Sequence, residues 1–320
     1  MPDLIEIQKD SYEWFMKEGL MELFEEISPI TDFIGRDLEL YLEDYYLDEP
    51  KFNEVESKAK NVTYEAPLRV KTRLVNKRTE ESTEQEIFLG DFPLMTKNGT
   101  FIINGIERVV ISQLVRSAGV IFTASYSKGK KYYGGKIIPN RGAWLELETD
   151  VNKVVWVRVD RKRKVAVTSL LRAFGYETDQ EIKELFKEVD VVKDENETSY
   201  IDATLSRDAA SDEAEGLQEV YKRIRPGDMA ATDNARQLIH SMFFRFDRYD
   251  LGQVGRYKMN RRFGEDVPNN KENRTLRKQD LINFIREVIR LNVTGEPEDD
   301  VDHLGNRRVR AIGELIQNRF

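Results

Sequence analysis

A chain of 320 residues in which 40% are hydrophobic has room for two domains of ordinary size, and the absence of cysteine excludes disulfides, thiol catalysis and zinc ribbons. Its two histidines, His240 and His303, lie far apart, so most histidine metal sites are excluded as well and the remaining chemistry is that of oxygen ligands and cations. The net charge of −8 argues, as an average, against nucleic acid, and no apolar run approaches the roughly 20 residues needed to span a bilayer.

In chain order, Met1-Pro2-Asp3 lacks the basic region of an export signal, and a cytoplasmic protein with no membrane contact is expected. The first helix is predicted to start near Asp10 or Ser11, with Glu13 as the capping partner of Asp10, and to carry Trp14, Phe15, Leu20, Phe24 and Ile27. Residues 37 to 50 mix aromatics with acids, and Leu68, Val70, Thr72 and Leu74 alternate with charged residues as a half-exposed strand does. Asn98-Gly99 and Asn104-Gly105 tolerate positive φ, so strands at 88 to 95, 100 to 103 and 108 to 114 are predicted to form a meander around them. Further strands are predicted near 120 to 124, 136 to 148 and 154 to 159. A helix over 170 to 174 should end at Gly175, and Thr178 with Glu181 should open the next as a capping box. Helices near 209 to 224, 234 to 244 and 278 to 292 follow, the last on the spacing of Leu281, Ile282, Ile285, Val288 and Ile289. Mixed strands and helices give the fold class α+β.

Charge is unevenly spread. Residues 158 to 164 hold five cations and one acid, Asp160; Arg256, Lys258, Arg261 and Arg262 form a second basic cluster, and Arg307, Arg308 and Arg310 a third. Residues 177 to 197 carry nine acids and three lysines, expected as a solvated outer face. Such polarisation suits a protein that lines a DNA channel.

Acid gives way to base within Asp299-Asp300-Val301-Asp302-His303-Leu304-Gly305-Asn306-Arg307-Arg308-Val309-Arg310. Asn306 is read as the N-cap of a helix whose inner face is Val309, Ile312, Leu315 and Ile316, which would hold the aspartates in a rigid loop. Carboxylates only accept hydrogen bonds, whereas Arg307 and Arg308 each offer a planar fork of donors. The stretch therefore either reads the bases and backbone of a polyanion or closes on itself as a solvated acidic turn. A calcium hand is not spelled out, since the loop length and the terminal bidentate glutamate are missing. Trp144, which follows Gly142 and Ala143, is either core filling, slightly favoured from its neighbours alone, or a platform for a stacked base.

The run Leu94-Met95-Thr96-Lys97-Asn98-Gly99-Thr100-Phe101-Ile102-Ile103-Asn104-Gly105-Ile106-Glu107-Arg108-Val109-Val110-Ile111-Ser112-Gln113-Leu114 closely resembles the β subunit of bacterial DNA-directed RNA polymerase. The resemblance resumes at Arg116-Ser117-Ala118-Gly119-Val120, at residues 138 to 145, 223 to 227 and 248 to 260, and at 302 to 308, and so covers essentially the whole chain in order. It implies two mixed domains, the lobe (108–304) inserted into a protrusion whose first part is 1–107 and whose return starts at 305–320. The last helix stops at Phe320 without a glycine cap, and a protrusion truncated in its C-terminal half is expected.

What the resemblance implies for function is a wall of the DNA cleft that touches the nontemplate strand and downstream duplex. The partners implied are DNA, the β′, α and ω subunits, a σ factor and transcription regulators. Nucleotidyl transfer needs magnesium, which in the family is held by another subunit; no cofactor, no metal and no catalytic residue are expected here, and the chain alone should be inactive. The family position of Trp144 stacks on a nontemplate base at the downstream edge of the open bubble. That of Asp302 accepts hydrogen bonds from an extruded guanine, whose Watson–Crick edge presents two adjacent N–H donors. Arg116, Arg307 and Val301 match positions around the same pocket, and Asp160, Arg161 and Lys162 match lobe positions near the single strand. There are two departures. Ser82-Thr83-Glu84 stands where many relatives carry Ile-Lys-Glu, an edge used by regulators, and Ala118 replaces a usual proline, which frees φ at that turn. The rival readings are a docking platform for σ and other factors with little DNA contact, and a metal nuclease centred on residues 299 to 302.

Overall fold

The first apolar stripe folds earlier in the chain than its sequence suggests. In the computed structural model, which describes residues 3–33, 35, 37–192 and 197–320, α1 (Glu6–Trp14) runs through a π turn at Phe15–Gly19 into α2 (Leu20–Ile27). Asp3, rather than Asp10, closes the N-terminus: its Oδ1 accepts the Ile5 N–H at 3.1 Å and its carbonyl the Glu6 N–H at 3.2 Å. Asp10, Ser11 and Glu13 lie inside the helix. Phe15, Leu20 and Phe24 are buried, Trp14 is partly so, and Ile27 is 46% exposed.

These helices cover a four-stranded antiparallel sheet of β1 (Ile30–Thr31), β2 (Leu38–Leu47), β3 (Glu65–Asn76) and β4 (Glu81–Pro93), in that order. α3 (Glu54–Lys60) enters through a capping box on Asn53 and Glu56. The alternation of β3 buries Leu68 and Val70 against Phe15, Phe24 and Phe92 and buries Thr72, whose hydroxyl donates to Gln85 O, while Leu74 at the far end is exposed. Ser82-Thr83-Glu84 sits exposed on β4, the sheet's edge. β5 (Phe101–Ile103) and β6 (Ile106–Arg108) form the hairpin predicted around Asn104-Gly105, both of positive φ. A side chain at Gly105 would meet Asn61 Cα at 2.7 Å, which fixes glycine there. The predicted strand 108 to 114 is interrupted: β6 ends at Arg108, and β7 (Gln113–Arg116) begins only after an irregular stretch.

The second unit is built on a five-stranded antiparallel sheet of β8 (Gly119–Ser127), β9 (Lys130–Ile138), β10 (Leu145–Thr149), β11 (Val155–Val159) and β12 (Val165–Ala166), in the order β12-β11-β10-β9-β8. The predicted strand 136 to 148 is two strands, because Pro139 has no N–H to give a ladder and Gly142 turns at φ +123°. One sheet face packs on α4 (Val167–Ala173), α5 (Asp179–Phe186), α6 (Tyr200–Leu205), α7 (Glu213–Ile224), α8 (Thr232–Phe243), α9 (Gly252–Phe263) and α10 (Lys278–Thr294) around one large apolar core. α4 ends at Ala173, with Gly175 (φ +94°) just past its cap Phe174, and Thr178 caps α5. The Glu181 carboxylate, however, accepts the N–H of Glu177, so the capping box is half formed. α7 starts at Glu213, behind its cap Asp212. Of the acidic stretch 177 to 197, residues 193–196 lie outside the described residues.

β13 (Arg307–Arg310) and α11 (Ile312–Gln317) close the chain. Asn306 is therefore not a helix cap: it ends a 3-10 turn, its side chain reaches back to Asp300 O at 2.7 Å, and the next four residues are extended because they pair with β7. By its contacts the chain divides into residues 1–115 with 309–320, and residues 116–308. The passages fall at Val115/Arg116 and Arg308/Val309, where the sequence reading drew them at 107/108 and 304/305. Among the described residues no helix is long and apolar enough to cross a membrane.

Candidate nucleic-acid interface

Residues 144 to 149 alternate, Trp-Leu-Glu-Leu-Glu-Thr, and β10 obeys the alternation. Leu145, Leu147 and Thr149 are buried, whereas Trp144, Glu146 and Glu148 face the other way. Trp144 is thus not core. It stands half-exposed on the outer face of the sheet, its place in the interior taken by Leu145. The strand enters this register through Gly142, where a Cβ would lie 2.8 Å from the Tyr249 ring and 2.9 Å from Arg248 O; only glycine fits there.

Cross-strand pairing brings Lys136, Glu146 and Arg158 into one row. Lys136 pairs with Glu146 at 2.7 Å, and Arg158 holds Glu148 through both Nε and Nη2, at 3.0 and 3.2 Å. These four side chains, with Arg116, Trp144 and Arg161, line an open concavity of about 440 Å³. Arg158 and Lys136 are thereby neutralised locally. Arg116, Arg161, Lys162 and Arg163 are exposed, and their side chains form no hydrogen bond or ion pair among the described residues.

The turn after β11 explains how Arg161 gets there. Asp160 and Arg161 both have positive φ, 49° and 59°; the Asp160 N–H donates to Trp144 O at 2.8 Å and the Lys162 N–H to Val159 O at 3.0 Å. The turn is held against Trp144 by its backbone, and the Arg161 guanidinium lies 4.3 Å from the centre of the Trp144 ring. Lys164 caps Trp156 in the same way at 4.8 Å, but the Trp156 indole N–H is bonded to Asp150 at 3.0 Å. The indole N–H of Trp144 has no partner among the described residues.

The aspartate stretch separates into different roles. Asp299 is structural: its N–H donates to Phe122 O, its Oδ2 accepts the Phe122 N–H at 2.8 Å, and its Oδ1 accepts from Arg262 at 3.0 Å. Just before it, Glu298 pairs with Lys131, which holds the Glu298 carboxyl below its ordinary range. Asp300 accepts the Asp302 N–H. Asp300 and Asp302 are both exposed, and the side chain of Asp302 is 81% exposed and paired with Arg307 at 2.8 Å. Val301 beside it is partly buried. The loop is pinned from several sides: His303 Nδ1 accepts the Gly305 N–H, Lys258 donates to Gly305 O at 2.6 Å, and the Ser117 N–H donates to Asn306 O at 2.9 Å. Burial lowers the Lys258 ammonium from its ordinary value.

Arg116 therefore lines the Trp144 concavity while its neighbour Ser117 is bonded to the residue before Arg307. A further tie runs from Arg308 Nη2 to Asn140 Oδ1 at 3.3 Å, four positions before Trp144. Ala118, at the proline position, is buried against Gly255 of α9, with Arg116 still at the concavity. The second basic cluster is only in part a surface patch, since Arg261 and Arg262 are exposed but three of its four cations are engaged within the protein. Arg256 is fully buried in a two-pronged pair with Asp280, Lys258 bonds the loop backbone, and Arg262 holds Asp299 and Glu287. Sequence reasoning missed Lys136, Glu146, Glu148 and Asn140, although the alternation from Trp144 through Glu148 carried the signal for two of them. Among the described residues no group of three or more His, Asp or Glu is placed to hold a metal ion.

The family RNA polymerase Rpb2, domain 2, matches residues 116–310, more than half of the chain and nearly coincident with the inserted unit. The chain is 47% identical over its whole length to the DNA-directed RNA polymerase subunit beta of Chloroflexus aggregans and spans 28% of that protein's length.

Proposed function

The chain belongs to the family of RNA polymerase Rpb2, domain 2, and from that premise we propose that it forms part of a β subunit that lines the DNA cleft and holds the nontemplate single strand during transcription. The inserted unit would be the lobe and the unit containing both ends of the chain the first part of the protrusion, with β′, α, ω and σ as partners in the cytoplasm. The observation that carries the reading is the half-exposed Trp144, set on the outer sheet face beside the cations Arg116 and Arg161, which have no ion pair among the described residues. A base stacked on an aromatic is worth ~1 to 3 kcal/mol whatever its identity, which suits a protein that moves along every sequence.

Asp302 supplies the discriminating contact. Its carboxylate projects into solvent from a loop pinned at its base, with one oxygen on Arg307 and the other open to the two N–H groups of an extruded guanine. Nucleotidyl transfer falls to other parts of the enzyme. The carboxylates of residues 299 to 302 are engaged by Phe122, Arg262, the Asp302 backbone and Arg307 rather than grouped to hold magnesium.

The test is the lifetime of open complexes formed by an assembled polymerase whose β subunit carries this sequence, on templates that differ only in one downstream nontemplate base. Asp302→Ala should remove ~1 to 3 kcal/mol of preference for guanine and leave the other bases nearly unchanged. Trp144→Ala should shorten lifetimes on every template. Equal shortening on all four templates by Asp302→Ala would make Asp302 a turn residue and remove the guanine pocket.

A further inference from the structure

A stacked base and a stacked guanidinium need the same layer above an indole, and on Trp144 that layer is already taken. Arg161 lies 4.3 Å from the ring centre, within the range of a direct cation–π contact, so no base fits between the two. Three features make this placement a built one. The left-handed residues Asp160 and Arg161 and the 2.8 Å bond from the Asp160 N–H to Trp144 O fix the root of the side chain beside the ring. No carboxylate among the described residues competes for the guanidinium. The indole N–H of Trp144 likewise has no partner among the described residues, whereas Trp156, under Lys164, is anchored through Asp150.

We propose that Arg161 and an incoming base are alternative occupants of one face of Trp144, so that a strand stacking a base there moves the guanidinium onto an adjacent phosphate. The proposal rests on the reading of Trp144 as a stacking platform and deepens it. In the free chain Arg161 covers the apolar ring. On binding, the ring contact is exchanged for a phosphate contact, which a guanidinium makes with two parallel N–H bonds. Arg161 thus contributes charge to binding while reducing what Trp144 contributes.

That opposition gives a sign that can be measured. Single-stranded oligothymidylate is titrated by fluorescence anisotropy against the 320-residue chain, Trp144→Ala, Arg161→Ala and the double variant. With Arg161 gone the ring is open beforehand, so Trp144→Ala should weaken binding by a factor about two- to fivefold larger in the Arg161→Ala background than in the wild type, the worth of an exposed cation–π contact. The same comparison is made without altering Trp144, by setting oligothymidylate against an abasic strand of equal length. The advantage of the bases should be larger for Arg161→Ala than for the wild type. An equal or smaller loss in the Arg161→Ala background overturns the exchange and leaves the platform standing. No loss on Trp144→Ala in either background, or no binding by the wild type at low salt, overturns the platform and the exchange together.

Discussion

Two segments of the inserted unit read alike as sequence, each with basic residues crowded into seven positions, 158 to 164 and 256 to 262, and the fold treats them in opposite ways. In the second, Arg256 is fully buried on Asp280, Lys258 binds a carbonyl and Arg262 bridges two acids. Those three charges hold the protein together, and Arg261 beside them is the exception, exposed and without an ion pair among the described residues. In the first, only Arg158 has a carboxylate partner among the described residues, Arg161 and Lys164 lie over tryptophan rings, and Lys162 and Arg163 meet solvent. The density of basic residues in a sequence therefore says little about free charge. What matters is whether an acid stands across from each base in the folded chain.

The buried pair gives the largest expected effect. Asp280→Ala leaves Arg256 charged and without its partner in a dry interior, and should lower the unfolding free energy by ~3 to 5 kcal/mol, read from urea titration. Arg256→Met combined with Asp280→Leu removes both charges and should lose less than the single variant, since no unpaired ion remains. If Asp280→Ala is as stable as the wild type, the contrast between the two segments fails at its strongest point.

A smaller loss is expected at Arg262. Its guanidinium holds Asp299 at 3.0 Å and Glu287 at 3.1 Å and lies 4.7 Å from the Phe122 ring, with a side chain 31% exposed. Removing it to alanine should cost ~1 to 2 kcal/mol after allowance for solvent screening, and should free the start of the 299 to 306 loop. The check pairs urea stability with hydrogen exchange at the Asp299 and Phe122 N–H groups, which donate to the Phe122 carbonyl and to the Asp299 carboxylate across that start. Unchanged exchange at both would show that the loop is held from elsewhere.

Local pattern made the strands and most of the helices legible. The alternation of Leu68, Val70 and Thr72 and the spacing of Leu281 to Ile289 are consequences of one face being buried, which a sequence displays directly. It failed where distant chain decides. Asn306 looked like a helix cap because its neighbours have helical spacing, yet pairing with β7 keeps the following residues extended. Arg256 looked exposed because its acid partner lies 24 positions away, and the ties from Asp299 to Phe122 and from Arg308 to Asn140 cross 177 and 168 positions. The site had the same mixture. The outward direction of Trp144 was present in the Leu-Glu-Leu-Glu alternation after it, but the guanidinium on its ring depends on two left-handed residues that no composition announces.

The smallest effect is also the most specific to the comparison, because it should appear in one segment and not in the other. The side chains of Lys162 and Arg163 bond nothing among the described residues, so replacing both by alanine removes no side-chain contact, and stability should stay within ~0.5 kcal/mol of the wild type. Each cation that meets a phosphate on single-stranded DNA releases condensed counterions, and contributes roughly 0.7 to the slope of log affinity against log salt. The double variant should therefore bind oligothymidylate with a slope shallower by about 1.4 if both meet the strand, and by about 0.7 if one does. Arg262→Ala, measured beside it, should leave the slope where it was, since that guanidinium faces Asp299 and Glu287 and not the strand. Equal slopes for wild type and the Lys162/Arg163 variant would mean that the exposed cations of the first segment are as uninvolved with the strand as the acid-paired Arg262 of the second.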